Sequence, residues 1–243
     1  LRDFIQKGGL TVVYGEPGGG KSLVIQAWAN ILAAPGSSWA WVGRERAHRA
    51  EVLYIMAEGQ GGLRGRLLAW QEHRAVEFLP GVRWMMSPFE VWRPPQEREF
   101  TEQQQEMLRY IEQEGIEVVF IDTLAATFGG GNENAQQDMN QYLQMCAAMQ
   151  ALGASVVIAH HAAKGSKTVR GSTVLHGAAD TVILLDPNRS ETTSEILSTE
   201  LKLKKQKDGT PFAPITLRPK VYKVDTKAGE SLVLHPGERD ATV

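Results

Sequence analysis

Lys21 and Ser22 close the run Gly15–Glu16–Pro17–Gly18–Gly19–Gly20–Lys21–Ser22, which has the spacing G-x-x-x-x-G-K-S. The run follows the apolar stretch Thr11–Tyr14 and opens, through Leu23, into a helix-forming segment. Strand, glycine-rich turn and helix in that order make a phosphate cradle. Glycines let successive backbone N–H groups turn toward one anion, and the positive end of the new helix adds to the attraction. Lys21 is spaced to reach the β- and γ-phosphates of a nucleoside triphosphate, and the Ser22 hydroxyl to bind Mg²⁺. A glycine-rich turn that happens to precede a lysine would need none of the flanking pattern. ATP and Mg²⁺ are therefore the expected ligands, contacted along Gly15–Leu23.

Two carboxylates complete the chemistry. Asp122 ends the apolar run Val118–Val119–Phe120–Ile121, where a carboxylate can order Mg²⁺ with its water shell. An apolar strand ending in Asp is common, but after a phosphate loop and in this order it is informative. An attacking water also needs a base. The position directly after Asp122 holds Thr123, so the candidate is Glu58, which follows Val52–Met56 and precedes Gly59–Gln60–Gly61–Gly62. The competing reading of Glu58 is a solvated carboxylate capping the next helix.

Ser155–Ala159 runs into His160–His161. A polar residue at the tip of such a strand can touch the γ-phosphate and report hydrolysis to the loop that follows. The next segment carries Lys164, Lys167 and Arg170 between Gly165 and Gly171. It suits contact with a nucleic-acid backbone, although a solvated basic loop has the same composition. Metal binding by the two histidines is disfavoured, because neighbours on an extended chain point apart.

These residues need a scaffold that brings strand ends together. Strands are expected at Leu10–Tyr14, Val52–Met56, Val82–Met86, Val118–Ile121, Ser155–Ala159 and Thr181–Leu185, with helices near Ser22–Leu32, Leu63–Phe78, Glu102–Glu114 and Ala135–Leu152. Alternation of helices with continuously apolar strands predicts a mostly parallel sheet covered on both faces. In the last helix Met139, Tyr142, Leu143, Cys146, Met149 and Leu152 recur at helical spacing and mark its core face. Beyond Asp186 the segments Ile196–Lys205, Ile215–Val224 and Ser231–Leu234, separated by turns at Lys207–Gly209 and Lys227–Gly229, predict an antiparallel extension on the sheet edge. Pro35–Arg49, rich in Gly, Ser and Arg, reads as an exposed loop. Its Trp39 and Trp41 either pin it to the body or stack on bases.

Composition narrows the classes. The 243 residues suit one large α/β domain spanning 1–243, and 42% hydrophobic with 22% charged residues is ordinary for a globular protein. The formal net charge of −2 supplies no global attraction for nucleic acid, so any such contact must be local. Cys146 is the only cysteine, which excludes an internal disulfide and fits a cytoplasmic setting. No run approaches the ~18 apolar residues of a membrane span. The chain opens on Leu1 rather than Met and reads as an excised domain.

The order of phosphate loop, Glu58, Asp122 and the histidine pair resembles the RecA-like core. Within it the chain resembles the RepA-type hexameric replicative helicases of plasmids and phages, in the superfamily that also holds DnaB-like ATPases. The likeness runs from about Gly9 to Leu234. It rests on Ala57–Glu58, Glu133–Asn134–Ala135, Val157–Gly165 with its His-His-x-x-Lys-Gly piece, Arg170–Leu175 and Gly209–Phe212. The resemblance implies a RecA-like α/β fold and a homo-oligomeric ring, a hexamer, that moves on single-stranded DNA. ATP would lie at subunit interfaces, and a primase or replication initiator would be a further partner. It also assigns water activation to Glu58 and phosphate sensing to His160. Three features depart from the pattern: Gly59 stands where an acidic residue follows the Glu, Asp180 stands where an arginine finger is expected, and the loop between Gly165 and Arg170 is short. Lys205 and Lys207 occupy the strand-turn where DnaB-like and KaiC-like ATPases present a cation to the neighbour's γ-phosphate. A solvated basic edge strand is the alternative for them. A KaiC-like regulatory switch that changes protein partners is the rival function. A small-molecule kinase is disfavoured because no arginine-rich lid is visible.

Overall fold

The computed structural model describes residues 1, 3–36, 39–46, 48–162, 173–227 and 229–236. In chain order the elements are β1 (Leu10–Gly15), α1 (Lys21–Ala33), β2 (Ala40–Trp41), β3 (Arg44–Glu45), β4 (Val52–Met56), α2 (Leu63–Arg74) and β5 (Arg83–Met85). They continue with α3 (Glu102–Gln113), β6 (Val118–Asp122), α4 (Leu124–Thr127), α5 (Gln136–Ala151) and β7 (Ser155–His161). The chain closes with α6 (Thr173–Ala178), β8 (Thr181–Arg189), β9 (Ile196–Gln206), β10 (Ile215–Lys223) and β11 (Glu230–Pro236). Nine strands form one sheet in the order β11-β10-β9-β8-β1-β7-β6-β4-β5. From β8 to β5 every pairing is parallel, and from β8 to β11 every pairing is antiparallel. This is the RecA-like α/β arrangement with a C-terminal antiparallel extension that the sequence predicts.

The central parallel strands β1, β4, β6 and β7 are buried on both faces, as their apolar runs require, while the edge strand β5 is half-buried. One core packs Val13, Val52, Tyr54, Phe120 and Val157 beneath α1 and α2; the other packs Val12, Ile55, Ile121 and Ile158 beneath α3 and α5. Because β1 lies between β7 and β8, and β6 between β7 and β4, the carboxyl ends of β1, β4, β6 and β7 converge. Ligands bind at such strand ends in open α/β sheets.

Three local expectations need correction. The segment from Pro35 is not simply an exposed loop. Helix α1 is buried from Val24 to Ala33 on all sides, and a helix without a polar face must be covered. Trp41 (3% exposed) does so, packing edge-on against the stacked Phe4–Trp28 pair. Arg46 donates to the carbonyls of Ile31, Leu32, Ala34 and Gly36 at the end of α1, and Trp39 stacks on Trp70. Both tryptophans therefore pin the segment. Helix α2 stops at Arg74 rather than Phe78, because Ala75 turns left-handed (φ 51°) and its N–H closes on the carbonyls of Gln71 and Glu72. In α5 Met145 joins the core face, while Leu152, past the helix end, is exposed. Cys146 is fully buried, and burial pushes its thiol up to about 12, so it packs rather than reacts.

The antiparallel extension lies on the sheet edge, as expected, and its last strand does more than close that edge. β11 packs across α2 and reaches α1, so the C-terminal strands fold back over the phosphate loop.

Candidate nucleotide-binding and hydrolysis site

The turn between β1 and α1 can approach its neighbours only because it is glycine. A Cβ on Gly15 would run into the Leu185 carbonyl, and one on Gly20, which has φ 90°, into the Leu234 side chain. Lys21 is 5% exposed. Its ammonium donates to the carbonyls of Gly15 (3.1 Å) and Glu16 (2.9 Å) and stands 3.4 Å from His161 Nδ1. Burial pulls this lysine down to about 8, against the opposing pull of Asp122, Glu58 and Glu16. A phosphate entering the cradle favours the charged form. Nucleotide affinity is therefore fully present below pH 8 and falls as pH rises through it, with proton uptake on binding above about pH 8. Calorimetric titrations at pH 7 and 9, each in two buffers of different ionisation enthalpy, measure both effects. Equal affinity and no proton uptake at pH 9 would contradict it.

Asp122 (1% exposed) ends β6. The Ser22 hydroxyl donates to its Oδ1 (3.1 Å), and the buried Tyr54 hydroxyl to its Oδ2 (2.7 Å). Burial raises this carboxyl and the two hydroxyl donors hold it back. A serine hydroxyl beside a carboxylate is an all-oxygen donor pair, and among the described residues no group of three or more His, Cys, Asp or Glu gathers elsewhere. That set fits Mg²⁺, which binds through one or two protein oxygens and otherwise keeps water and substrate phosphates. Ser22 and Asp122 would hold it.

Glu58 follows β4, in register with β6: Met56 pairs with Asp122, and the Asp122 carbonyl accepts from the N–H groups of Ala57 (2.8 Å) and Glu58 (3.3 Å). The Thr123 hydroxyl donates to Glu58 Oε1 (2.9 Å). Glu58 and Thr123 face a cleft of about 410 Å³ together with Gly18, Lys21, Ser22 and His161.

The two strand-end histidines separate as alternation along β7 requires. His160 is fully buried, whereas His161 is the histidine that lines the cleft beside Lys21. His160, the expected sensor, is not among the residues that line the cleft; its neighbour His161 is. Arg66, which the sequence reading missed, also lines the cleft. Its Nε donates to Gln26 (2.8 Å) and its Nη2 to the Gly59 carbonyl (2.7 Å). Its position in the first turn of the helix that the glycine run opens, eight residues past Glu58, is the signal that could have found it. The far wall is Ile196, Ser231 and Leu232 of the C-terminal extension.

Lys205 and Lys207 are engaged within their own chain. Lys205 Nζ donates to the carbonyls of His176 (2.8 Å) and Gly177 (2.7 Å), at the end of α6. Lys207 Nζ donates to the Ala178 carbonyl (3.3 Å) and pairs with Asp180 (2.8 Å). Burial by itself would raise the Asp180 carboxyl, but Lys207 and the Leu10 N–H hold it below the usual carboxylate range. Lys164, Lys167 and Arg170 lie outside the described residues.

Phosphate loop, strand-end aspartate and nearby glutamate on this sheet define a P-loop ATPase of RecA-like fold. An AAA-domain family profile matches residues 1–167, and the chain belongs to that family. No curated protein matches. Among solved structures, the flagellar accessory protein FlaH of Methanocaldococcus jannaschii superposes with a TM-score of 0.53 at 14% identity, over 94% of this chain and 90% of that one. That identity speaks for the fold alone, and 449 solved chains match, so the fold does not select one task. Neither comparison singles out RepA-type helicases. Among the described residues no helix is long and apolar enough to cross a membrane.

Proposed function

We propose that residues 1–243 form the motor unit of a homo-oligomeric, Mg²⁺-dependent ATPase that moves on single-stranded DNA, in the manner of the RepA-type replicative helicases the sequence resembles. The observation that carries the reading is the course of β7. Its His161 stands 3.4 Å from the phosphate-loop lysine, and the chain enters the basic segment with Lys164, Lys167 and Arg170 only three residues later. In sequence the cations suited to a nucleic-acid backbone follow His161 by three to nine residues, which supports coupling between the γ-phosphate and that backbone.

In hydrolysis a water oxygen attacks the γ-phosphorus and the bond to the β,γ-bridging oxygen breaks. Its electron pair stays with ADP, and the water proton passes to Glu58. Lys21 neutralises phosphate charge, His161 reads the γ-phosphate in place of His160, and Arg66 presents a cation from within the same chain. Ser22 and Asp122 would hold Mg²⁺, which would supply further charge neutralisation. A trans role for Lys205 or Lys207 requires each to leave the α6 carbonyls it now holds.

The test is replacement of Lys164, Lys167 and Arg170 by Ala together. Affinity for single-stranded DNA falls and the salt slope of binding drops by up to about two, since each lost phosphate contact removes roughly 0.7 from the slope on single strands. Affinity for ATP stays as it was. Unchanged DNA binding moves the interface elsewhere. A KaiC-like switch acting on protein partners is the second reading. Asp180 supports it, since a carboxylate paired with Lys207 stands where the ring helicases' finger is expected. ATPase rates that ignore single-stranded DNA would favour that switch.

A further inference from the structure

Thr123 occupies the position directly after the strand-end aspartate, where a carboxylate base would also have been in reach of the cleft. It is 3% exposed, and both ends of its hydroxyl are committed. The oxygen accepts the Ala126 N–H (3.4 Å), which caps α4, and its hydrogen is donated to Glu58 Oε1 (2.9 Å). A hydroxyl is ordinarily a free rotor. Here the cap occupies a lone pair and leaves the hydrogen directed at Glu58. The backbone beneath is tied as well, because the N–H groups of Ala57 and Glu58 both meet the Asp122 carbonyl.

Glu58 itself is exposed and follows a strand end in a glycine-rich turn. The hydrogen bond to its carboxylate comes from Thr123, just past the end of β6. We propose that Thr123 is a positioning residue for hydrolysis: its hydroxyl holds Glu58 Oε1 so that the other carboxylate oxygen, Oε2, is left to take the proton of the attacking water. The inference rests on Glu58 being the base. A single fixed oxygen turns a mobile acid into an oriented one, and orientation of a catalytic group is worth orders of magnitude in rate. The same contact joins the two strand ends that carry the metal-side and the water-side carboxylates.

The experiment compares Thr123→Val, Thr123→Ala and Thr123→Ser with Glu58→Gln and the Glu58→Gln/Thr123→Val pair, each by steady-state hydrolysis and by fluorescent-nucleotide binding. The expected result is a kcat about 10- to 100-fold lower for Val and Ala with KM and nucleotide affinity unchanged, and a near-normal kcat for Ser. The paired variant falls no further than Glu58→Gln alone, because a positioning group has nothing left to position. Ala adds no bulk, so it reads the hydroxyl if Val disturbs packing. A Ser variant as slow as Val assigns the effect to the methyl group and overturns the proposal. So does a normal kcat in Val and Ala while Glu58→Gln is inactive. A fully active Glu58→Gln overturns the assignment of the base instead, so the two failures are distinguishable.

Discussion

Glu58→Gln binds ATP as the parent does and hydrolyses it at least ~100-fold more slowly, the scale of a lost general base. Glutamine keeps the length and shape of the side chain, and its carbonyl oxygen still accepts from the Thr123 hydroxyl 2.9 Å away. The phosphate cradle and the Ser22–Asp122–Tyr54 set do not pass through Glu58. What disappears is the oxygen that accepts a proton when water attacks. A hundredfold slowing corresponds to about 2.7 kcal/mol of lost transition-state stabilisation. Phosphate release at saturating ATP measures it, and nucleotide titration checks that binding is intact. Normal hydrolysis would put the base elsewhere, and a water held by His161 would be the next candidate.

The sheet was legible because its central parallel strands are buried on both faces and therefore read as apolar runs. Val52–Met56 is found with the expected bounds, and β6 extends the expected run only by Asp122. The phosphate loop was legible because the task tolerates few residue types at each position. The contents of the cleft beyond it were not. Whether His160 or His161 faces Lys21 depends on which side of the pleat β7 turns toward α1, and adjacent identical residues carry no alternation to decide it. Arg66 sits in a helix whose other arginines, Arg64 and Arg74, look the same in sequence; only the packing of α2 aims it at Gly59. That Trp41 and Arg46 cover α1 was not legible in their loop, because local composition does not show that α1 lacks a polar face needing cover. The return of β11 over Gly20 is a tertiary contact between residues 214 positions apart, 234 less 20, with no local trace in the chain.

Lys21→Ala abolishes hydrolysis and the stabilisation that nucleotide confers, yet leaves the nucleotide-free protein at least as stable as before. The two halves of this prediction come from the same burial. The ammonium is 5% exposed and held by two backbone carbonyls, and burial pulls it down to about 8 from an ordinary 10.5. A lysine with a lowered folded-state value opposes folding wherever it is charged in both states. The penalty is full below pH 8 and is relieved as pH rises from there toward the unfolded value. Alanine removes that penalty at pH 7 and keeps the helix start, since it is the best helix former. With ATP the sign reverses. Phosphate oxygens in the cradle are left without its buried cation, and charge-assisted hydrogen bonds of roughly 1.5–3 kcal/mol each are lost. Ligand at 100 times its dissociation constant stabilises a protein by about 2.7 kcal/mol, so the thermal shift with ATP is the readout. In the parent the melting temperature rises with ATP; in Lys21→Ala the nucleotide-free value is equal or higher, and ATP no longer moves it. Lys21→Arg does not restore the shift, because a planar guanidinium cannot replace a compact ammonium between those carbonyls. An ATP-dependent shift surviving in Lys21→Ala would mean that the triphosphate is held outside the cradle of Gly15–Ser22, and the site built on it would have to be abandoned.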